Sequence, residues 1–328
     1  MSTDNAAYDE GARIMTICNA CRYCEGYCAV FPAMERRFTF DASELQYLAN
    51  LCHDCGSCLP ACQYAPPHEF GVDVPKTLKR IRADSYEDFA WPAAAAPAFA
   101  QPGRLATNAS AIAIVLFAAA TFAFGPISKA AMIAVFSFAG LGVAGLLAAG
   151  IARCWRAIGG PALSFSDIPA IFAALGDALR LRNLDGGGEG CPRRTYHHLA
   201  FYGFTLCFAA TVVAAFYDNF LGWPPPYPLL SAPVVLGTVG GVTLLAGAAG
   251  LLKSANDLTF IVMLILVAFT GLLLLALRAT PVMGPLLAIH LGIVLGLFVT
   301  MPYGKFVHGF YRFAALARDA IEKRQTAS

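Results

Sequence analysis

The sequence predicts a mainly α-helical protein in two parts: a small cysteine-rich domain, then a six-helix transmembrane bundle. Two observations predict this. Hydrophobic residues make up 58% of the 328 residues, and the mean hydropathy of +0.60 is too high for an ordinary soluble protein. Eight of the 11 cysteines lie within the first 62 residues, ahead of all the long apolar runs. We therefore expect a polar N-terminal domain and a membrane-embedded remainder.

The eight N-terminal cysteines form two runs of identical spacing, C-x2-C-x2-C-x3-C, which is typical of bacterial [4Fe–4S] cluster ligands. The runs are Cys18, Cys21, Cys24, Cys28 and Cys52, Cys55, Cys58, Cys62. Eight thiolates suffice for two clusters, so residues 1–90 are predicted to form a ferredoxin-like domain with two [4Fe–4S] clusters. Such a domain moves electrons, and we assign no catalytic residue.

The spacing leaves the pairing of the runs open. In two-cluster ferredoxins the fourth cysteine of each run binds the other cluster. That pattern joins Cys18, Cys21 and Cys24 with Cys62, and it joins Cys52, Cys55 and Cys58 with Cys28. The alternative is that each run holds its own cluster, and the proline that usually follows the fourth cysteine is absent here. Structural zinc is a third interpretation, but three closely spaced cysteines in each run exceed what a tetrahedral zinc site needs.

An Ala/Pro-rich linker, residues 91–104, leads into the predicted bundle of residues 105–304. Six apolar runs there are long enough to cross a bilayer as helices. They are Leu105–Gly125, Ala130–Ala152, Leu199–Tyr217, Val234–Leu252, Leu258–Leu277 and Gly284–Met301. Six spans place both chain ends on one side of the membrane.

The basic residues predict the orientation of the bundle. Arginine and lysine are concentrated in the loop 153–198 and in the tail 305–328, whereas the opposite loops carry only Lys129 and Arg278. By the positive-inside rule, the cysteine domain, the long loop and the tail are cytoplasmic. The net charge of +2 gives no indication of nucleic-acid binding.

The start of the chain shows no signal peptide, which also predicts a reducing compartment where thiols can bind metal. The other cysteines, Cys154, Cys191 and Cys207, are predicted to be free thiols. Within the long loop, apolar residues at helical spacing predict an amphipathic helix over residues 168–179, which lies on the membrane or packs under the cysteine domain. The glycine-rich segment 186–191 after it is predicted to be a flexible turn.

Four histidines at the membrane are candidate haem ligands, because ionisable residues there are costly and usually functional. His197 and His198 open the third span and His308 follows the sixth, all on the predicted cytoplasmic side. His290 is 18 residues before His308, about 27 Å along a straight helix, so these two cannot share a haem. We expect one b-type haem between His308 and His197 or His198. A second haem at His290 stays an open alternative to a packing or quinone-site role.

Three segments carry a family resemblance: CNACRYCEGYCAVFPAMERR, YLANLCHDCGSCLPACQYAPPHEFGVDVP and MPYGKFVHGFYR. The chain resembles the tricarballylate/citrate utilisation protein B family, in the same broad group as the C-terminal half of the flavohaem protein of cobalamin synthesis. The last segment, with His290 and His308, also looks like the haem-binding final span of respiratory nitrate reductase gamma-type subunits. Those subunits bind two haems with four ligands on two helices.

The resemblance implies a role in a bacterial inner membrane. In that family, a soluble FAD-dependent dehydrogenase oxidises tricarballylate, and the B protein reoxidises the flavin and passes electrons to the membrane quinone. The sequence thus predicts an electron conduit from a partner flavin, through two clusters and haem, to quinone. Two other classes stay open: a heterodisulfide-reductase-like oxidoreductase subunit with its own substrate, and a membrane-anchored iron–sulfur redox sensor without haem.

Overall fold

The computed structural model describes residues 5–125, 127–182, 192–252 and 258–327, and every regular element within them is a helix. The predicted mainly α-helical class is therefore confirmed. The α-helices are α1 Asn5–Cys21, α2 Val30–Glu35, α3 Ala42–Leu51, α4 Cys58–Ala61, α5 Val74–Phe89, α6 Pro102–Phe124, α7 Lys129–Ala157, α8 Ile168–Leu179, α9 Pro192–Phe220, α10 Ala232–Leu251, α11 Leu258–Ala276, α12 Met283–Thr300 and α13 Val307–Ala327.

The chain divides into two compact units that are not continuous in sequence. The first unit comprises Met1–Ala100, Ala144–Cys191 and Pro302–Ser328, and the second comprises Gln101–Val143 and Pro192–Met301. Helix α7 therefore contributes its two halves to different units. The segment after the last span, predicted as a cytoplasmic tail, contains helix α13 and belongs to the same unit as the cysteine-rich domain.

The first unit has a small apolar core under the cysteine loops. Helices α1, α2, α3 and α5 bury side chains that are almost completely inaccessible: Ile14, Met15, Met34, Leu45, Leu48, Leu78 and Ile81. Two helices begin at aspartate caps that satisfy otherwise unpaired backbone N–H groups. Asp41 accepts the N–H of Glu44 at 3.0 Å at the start of α3, and Asp73 accepts the N–H of Lys76 at 3.0 Å at the start of α5. These caps fix where the two helices start beside the cysteine loops.

Helix α13 packs against α3 and α8 within the first unit. Tyr47 of α3 is 0% exposed and lies between two guanidinium groups, with Arg37 at 4.4 Å and Arg318 of α13 at 4.2 Å from its ring centre. Arg318 also donates to Glu44 and to Glu322, each at 2.7 Å. Buried cations thus pair with carboxylates and an aromatic face, which is how charge is tolerated in a protein interior.

The predicted amphipathic helix in the long loop is α8, which contains all the apolar residues at helical spacing between Ile168 and Leu179. Its small residues Ala170 and Ala174 are buried, whereas Phe172 is 67% exposed. Helix α8 packs on α13, and its buried alanines form the face that belongs to the core of the first unit. The glycine-rich segment 186–191, including Cys191, lies outside the described residues.

The second unit contains the apolar helices. Six helical stretches of the described chain are long and apolar enough to cross a membrane, which confirms the six predicted spans. The ends of the observed helices differ from those of the predicted runs by at most seven residues. These helices are α6, α7, α9, α10, α11 and α12. The structure contains no bilayer, so the cytoplasmic placement of the cysteine domain stays a prediction.

Helix pairs α9–α10 and α6–α12 make the most extensive contacts in the second unit. Glycines allow this approach, as in many membrane helix pairs where small residues line the interface. A Cβ atom on Gly296 of α12 would lie 2.6 Å from the Cα of Ser110 on α6, and one on Gly240 of α10 would lie 2.8 Å from the backbone nitrogen of Cys207 on α9. At one end of this unit, Lys129 forms an ion pair with Asp218 at 2.9 Å.

Candidate metal centres

The eight cysteines lie at helix ends and in the loops between helices of the first unit. Cys18 and Cys21 are in the last turn of α1, Cys52 follows α3, and Cys58 and Cys62 flank the short helix α4. Left-handed backbone at Arg22, Asp54 and Gly56 turns the chain next to these cysteines. Such turns let one short segment direct several thiols towards the same volume.

One group of neighbouring thiols combines three cysteines of the first run with the last cysteine of the second. Burial raises the pKa of Cys18 to about 12, and the nearby thiols of Cys62, Cys24 and Cys21 raise it further. The pKa of Cys24 is raised by burial and by the same neighbours, Cys62 and Cys21. The side-chain amide of Gln63 donates to the sulfur of Cys21 at 3.7 Å. We call these four thiols the first set.

The other four thiols line one partly open cavity, which we call the second-set cavity. Cys28, Cys52, Cys55 and Cys58 all line it, together with Tyr27, Val30, Phe31, His53, Gly56, Ser57, Val74, Pro75 and Leu78. Burial raises the pKa of Cys28 to about 12, and Cys52 and Cys55 raise it further. These four thiols are the second set. In each set, therefore, the fourth cysteine of one run lies with the first three of the other.

Backbone N–H groups point at the sulfur atoms of the second set. Those of Val30 and Phe31, at the start of α2, donate to Cys28, and they lower its pKa against the effect of burial. The N–H of Asp54 donates to the sulfur of Cys52 at 3.4 Å. Hydrogen bonds to cysteine sulfur stabilise thiolate charge and adjust the potential of a bound cluster. The second set therefore offers four thiols together with donors suited to their ionised form.

Each of the two donor sets consists of four thiols. In the described ranges, no group of three or more His, Cys, Asp or Glu side chains converges closely enough to hold one metal ion. A tetrahedral zinc site would need its sulfur ligands about 2.3 Å from a single point. The chemistry of the set, all thiols with no carboxylate, suits iron–sulfur ligation.

Basic side chains lie beside the second set. Arg82 of α5 donates to the carbonyl oxygen of Cys52 at 2.7 Å and lies 3.5 Å from the carboxylate of Asp54. Arg312 of α13 is 5% exposed and close enough to Cys52, Cys28 and Cys55 to interact with them electrostatically. Sequence reasoning missed both arginines. The signal available was weak: Arg312 follows His308 by four residues, on the same helix face.

His308 lies in the first unit, near the second set. Its Nδ1 is 2.9 Å from the hydroxyl of Tyr86, and its ring centre is 6.5 Å from that of His53, which lines the second-set cavity. Burial raises the pKa of Tyr86, so this hydroxyl stays neutral and can accept a hydrogen bond from Nδ1–H. A ligating histidine usually donates its other ring N–H in this way. Nothing in the local sequence singles out Tyr86 as a partner of His308.

The other candidate histidines belong to the second unit. His198 donates from Nδ1 to the carbonyl oxygen of Arg194 at 3.1 Å, and its ring stacks on that of Tyr202 at 6.0 Å. His197 is half-buried on the same helix, α9. The Nδ1 of His290 on α12 is 2.8 Å from the hydroxyl of Thr270 on α11. The ring of His290 thus joins two spans, as a packing histidine or a ligand oriented by its second nitrogen would.

The three cysteines outside the two runs are predicted to be free thiols. Cys154 and Cys207 are free cysteines, as predicted, and Cys191 lies outside the described residues. Cys154 is completely buried and therefore has the environment of a packing residue. His68, to which the sequence assigns no role, accepts the N–H of Phe70 at 3.1 Å.

Comparison with known proteins identifies both parts of the chain. Residues 11–88 match the family described as citrate utilization protein B Fer4-like domain, and residues 109–328 match the family described as citrate utilization protein B. The chain is 46% identical to the citrate utilization protein B of Escherichia coli over 357 aligned positions, which cover 96% of this chain and 93% of that protein. No solved structure matches the chain.

Proposed function

Since the chain belongs to the citrate utilization protein B family, we propose that it carries electrons from a soluble FAD-dependent dehydrogenase to the membrane quinone. The single observation that supports this best is the arrangement of eight thiols as two sets of four, the second around one cavity. Thiols in this arrangement suit two neighbouring [4Fe–4S] clusters. Six apolar helices supply the membrane anchor.

The clusters, when bound, supply one-electron redox chemistry, so that a two-electron flavin on the partner can be reoxidised in single steps. The residues of this chain provide ligation and environment. The first set, Cys18, Cys21, Cys24 and Cys62, holds one cluster, and Gln63 donates to the sulfur of Cys21. The second set holds the other, with backbone donors at Cys28 and Cys52.

The surface around the first set suits the place where the partner flavin approaches. Arg22 and Tyr23, between Cys21 and Cys24, and Glu25, directly after Cys24, are all exposed, and Tyr23 is 67% accessible. The second set is more enclosed, since Cys28 and Cys52 are backed by the apolar side chains of Val30, Val74 and Leu78. Electrons from the partner therefore arrive at the first set and continue to the second.

The haem and quinone steps extend this proposal into the membrane part. We propose b-type haem ligation by His308 with His197 or His198, and leave a second haem at His290 as the alternative count. The support is chemical: His198, His290 and His308 each have Nδ1 at hydrogen-bond distance from an oxygen atom, which orients Nε2 for ligation. The substrate of the partner dehydrogenase, by resemblance tricarballylate, belongs to the same proposal.

The test is the metal and haem content of the full chain, purified anaerobically in detergent, with a reduced-minus-oxidised spectrum. We expect about eight irons in clusters per chain, since each cubane holds about four, plus b-type haem absorption. The variant H308A should lose or alter the haem spectrum, whereas H68A, at an exposed histidine of the same unit, should not. Clusters without haem would contradict the conduit and favour the redox sensor, and a chain without clusters would overturn the proposal.

The partner step has its own measurement. Purified dehydrogenase with reduced flavin, mixed anaerobically with the full chain in quinone-containing liposomes, should be reoxidised as quinol forms. Quinol formation should require both proteins. Flavin reoxidation by the dehydrogenase alone at the same rate would remove the need for this chain and contradict its role.

A further inference from the structure

Helix α13 carries two buried arginines in different electrostatic surroundings. Arg318 is 6% exposed and pairs with the carboxylates of Glu44 and Glu322. Arg312 is 5% exposed, yet in the described part of the chain it pairs with no carboxylate, and its Nε has no hydrogen-bond partner there. A buried charge without a counter-ion is costly, so such an arginine needs a negative group nearby.

The groups that face Arg312 identify that negative charge. The thiols that interact with it electrostatically are Cys52, Cys28 and Cys55, three of the four members of the second set. The other cation nearby, Arg82, already has Asp54 as its acidic neighbour and donates to the Cys52 carbonyl oxygen. Thiolates that bind iron are ionised. Arg312 is therefore the buried positive charge that matches a thiolate-ligated cluster at this position.

The first set has no equivalent among the described residues. Besides Arg312, the buried arginines of the described residues are Arg37, Arg82 and Arg318, and each of these forms an ion pair with a carboxylate. Arg22, next to Cys21, is exposed, and water and salt screen the charge of an exposed side chain. The two sets thus share their ligand chemistry and differ in one buried positive charge that no carboxylate of the described residues neutralises.

We propose that Arg312 is the counter-ion of the cluster held by the second set, and that it raises the reduction potential of that cluster above that of the first-set cluster. This inference rests on the proposed function. Reduction adds an electron to a cluster that is already negative, and a nearby cation in a weakly polarisable interior stabilises the reduced form. The electron therefore moves downhill from the exposed first set to the enclosed second set, on the side where His53 and His308 lie.

The experiment is an anaerobic redox titration of the detergent-purified full chain, followed by electron paramagnetic resonance. The variants C62S and C58S, each altering one set, assign the two signals. In R312Q we expect the second-set midpoint to fall by at least about 59 mV, a tenfold change in its one-electron equilibrium, while the first-set midpoint stays unchanged. R312K retains the positive charge and should recover most of the shift. R13Q, which removes an exposed charge from the same unit, should move neither midpoint.

The outcomes separate this inference from the proposed function. Equal second-set midpoints in the wild type and an iron-replete R312Q would overturn the role of Arg312 and leave the conduit intact. A wild-type chain without clusters would overturn the proposed function itself. If R312Q does not assemble its second cluster, R312K decides: assembly with a near-wild-type midpoint supports the counter-ion role, and failure to assemble contradicts it.

Discussion

Each of the two units is stabilised internally by a different kind of contact. The first unit buries charged and aromatic groups together, as where Tyr47 lies between Arg37 and Arg318. The second unit packs helix backbones closely at glycines such as Gly240 and Gly296. Each device suits its surroundings, because a polar unit can satisfy buried charges with partners, whereas ionisable groups are costly among membrane spans. Changes that remove charge should therefore affect the first unit, and changes that add bulk should affect the second.

The largest expected effect is the loss of a cluster from the first unit. In C58S the second set keeps three thiols, and we expect bound iron to fall from about eight to about four per chain. C154S is the matched control, since Cys154 is a buried cysteine of the same unit that belongs to neither set. Iron analysis and the resonance spectrum of the reduced protein measure the change. Unchanged iron in C58S would remove Cys58 from the ligands.

The next effect is on the ion-pair network of the first unit. Arg318 donates hydrogen bonds to both Glu44 and Glu322, and R318A removes this shared partner. Breaking such a buried ion pair costs about 3 kcal/mol. K323A is the control: Lys323 pairs with Asp319 at 2.7 Å but is exposed, so its loss should cost about 1 kcal/mol or less. Cluster loss on heating, followed by visible absorption, reports the unfolding of this unit. Equal midpoints for R318A and K323A would contradict the prediction.

Added bulk tests the second unit. In G296L the new side chain would meet the backbone of Ser110, and we expect a loss of about 2 kcal/mol with the clusters retained. G142L makes the same change on α7, where a Cβ atom meets nothing within 4 Å. Thermal unfolding of the helices in detergent, followed by circular dichroism, separates the two variants. A destabilised G142L with an unaffected G296L would show that the α6–α12 contact is not a close one.

The smallest effect concerns a helix cap in the first unit. The N–H of Glu44 and the hydroxyl of Ser43 both donate to Asp41, and they hold the pKa of its carboxyl below the ordinary value. Because the folded pKa is the lower one, this contribution is present above the unfolded pKa of about 3.9 and is lost as the pH falls through the folded value. D41A should cost about 1 kcal/mol at neutral pH.

Two pH values test the cap directly. The difference in unfolding free energy between wild type and D41A, from circular dichroism in urea, should be larger at pH 7 than near pH 3. D41N keeps a capping oxygen without the charge, so its unfolding free energy at pH 7 should lie between those of wild type and D41A. A difference that grows on acidification would contradict the assigned sign.

The sequence was sufficient for features that depend on neighbouring residues. The spacing of Cys18, Cys21 and Cys24 is itself a local motif, because one short turn places all three. The six spans could be found because a helix must supply about 20 apolar residues to cross a bilayer, whatever its neighbours. Span ends were less certain, since α9 starts seven residues before the predicted Leu199. Helix ends depend on caps and contacts that hydropathy does not encode.

The tertiary structure decided the features that join distant residues. Arg36 pairs with Asp319, 283 positions away, and Arg318 pairs with Glu44, 274 positions away, so no local pattern could identify either pair. The same holds for the position of Arg312 beside Cys52 and for the hydroxyl of Tyr86 at His308. The sequence alone determined which thiols are available and which segments are apolar. Only the fold decided which thiols share a set and which charge faces them, because both depend on how helices far apart in the chain pack together.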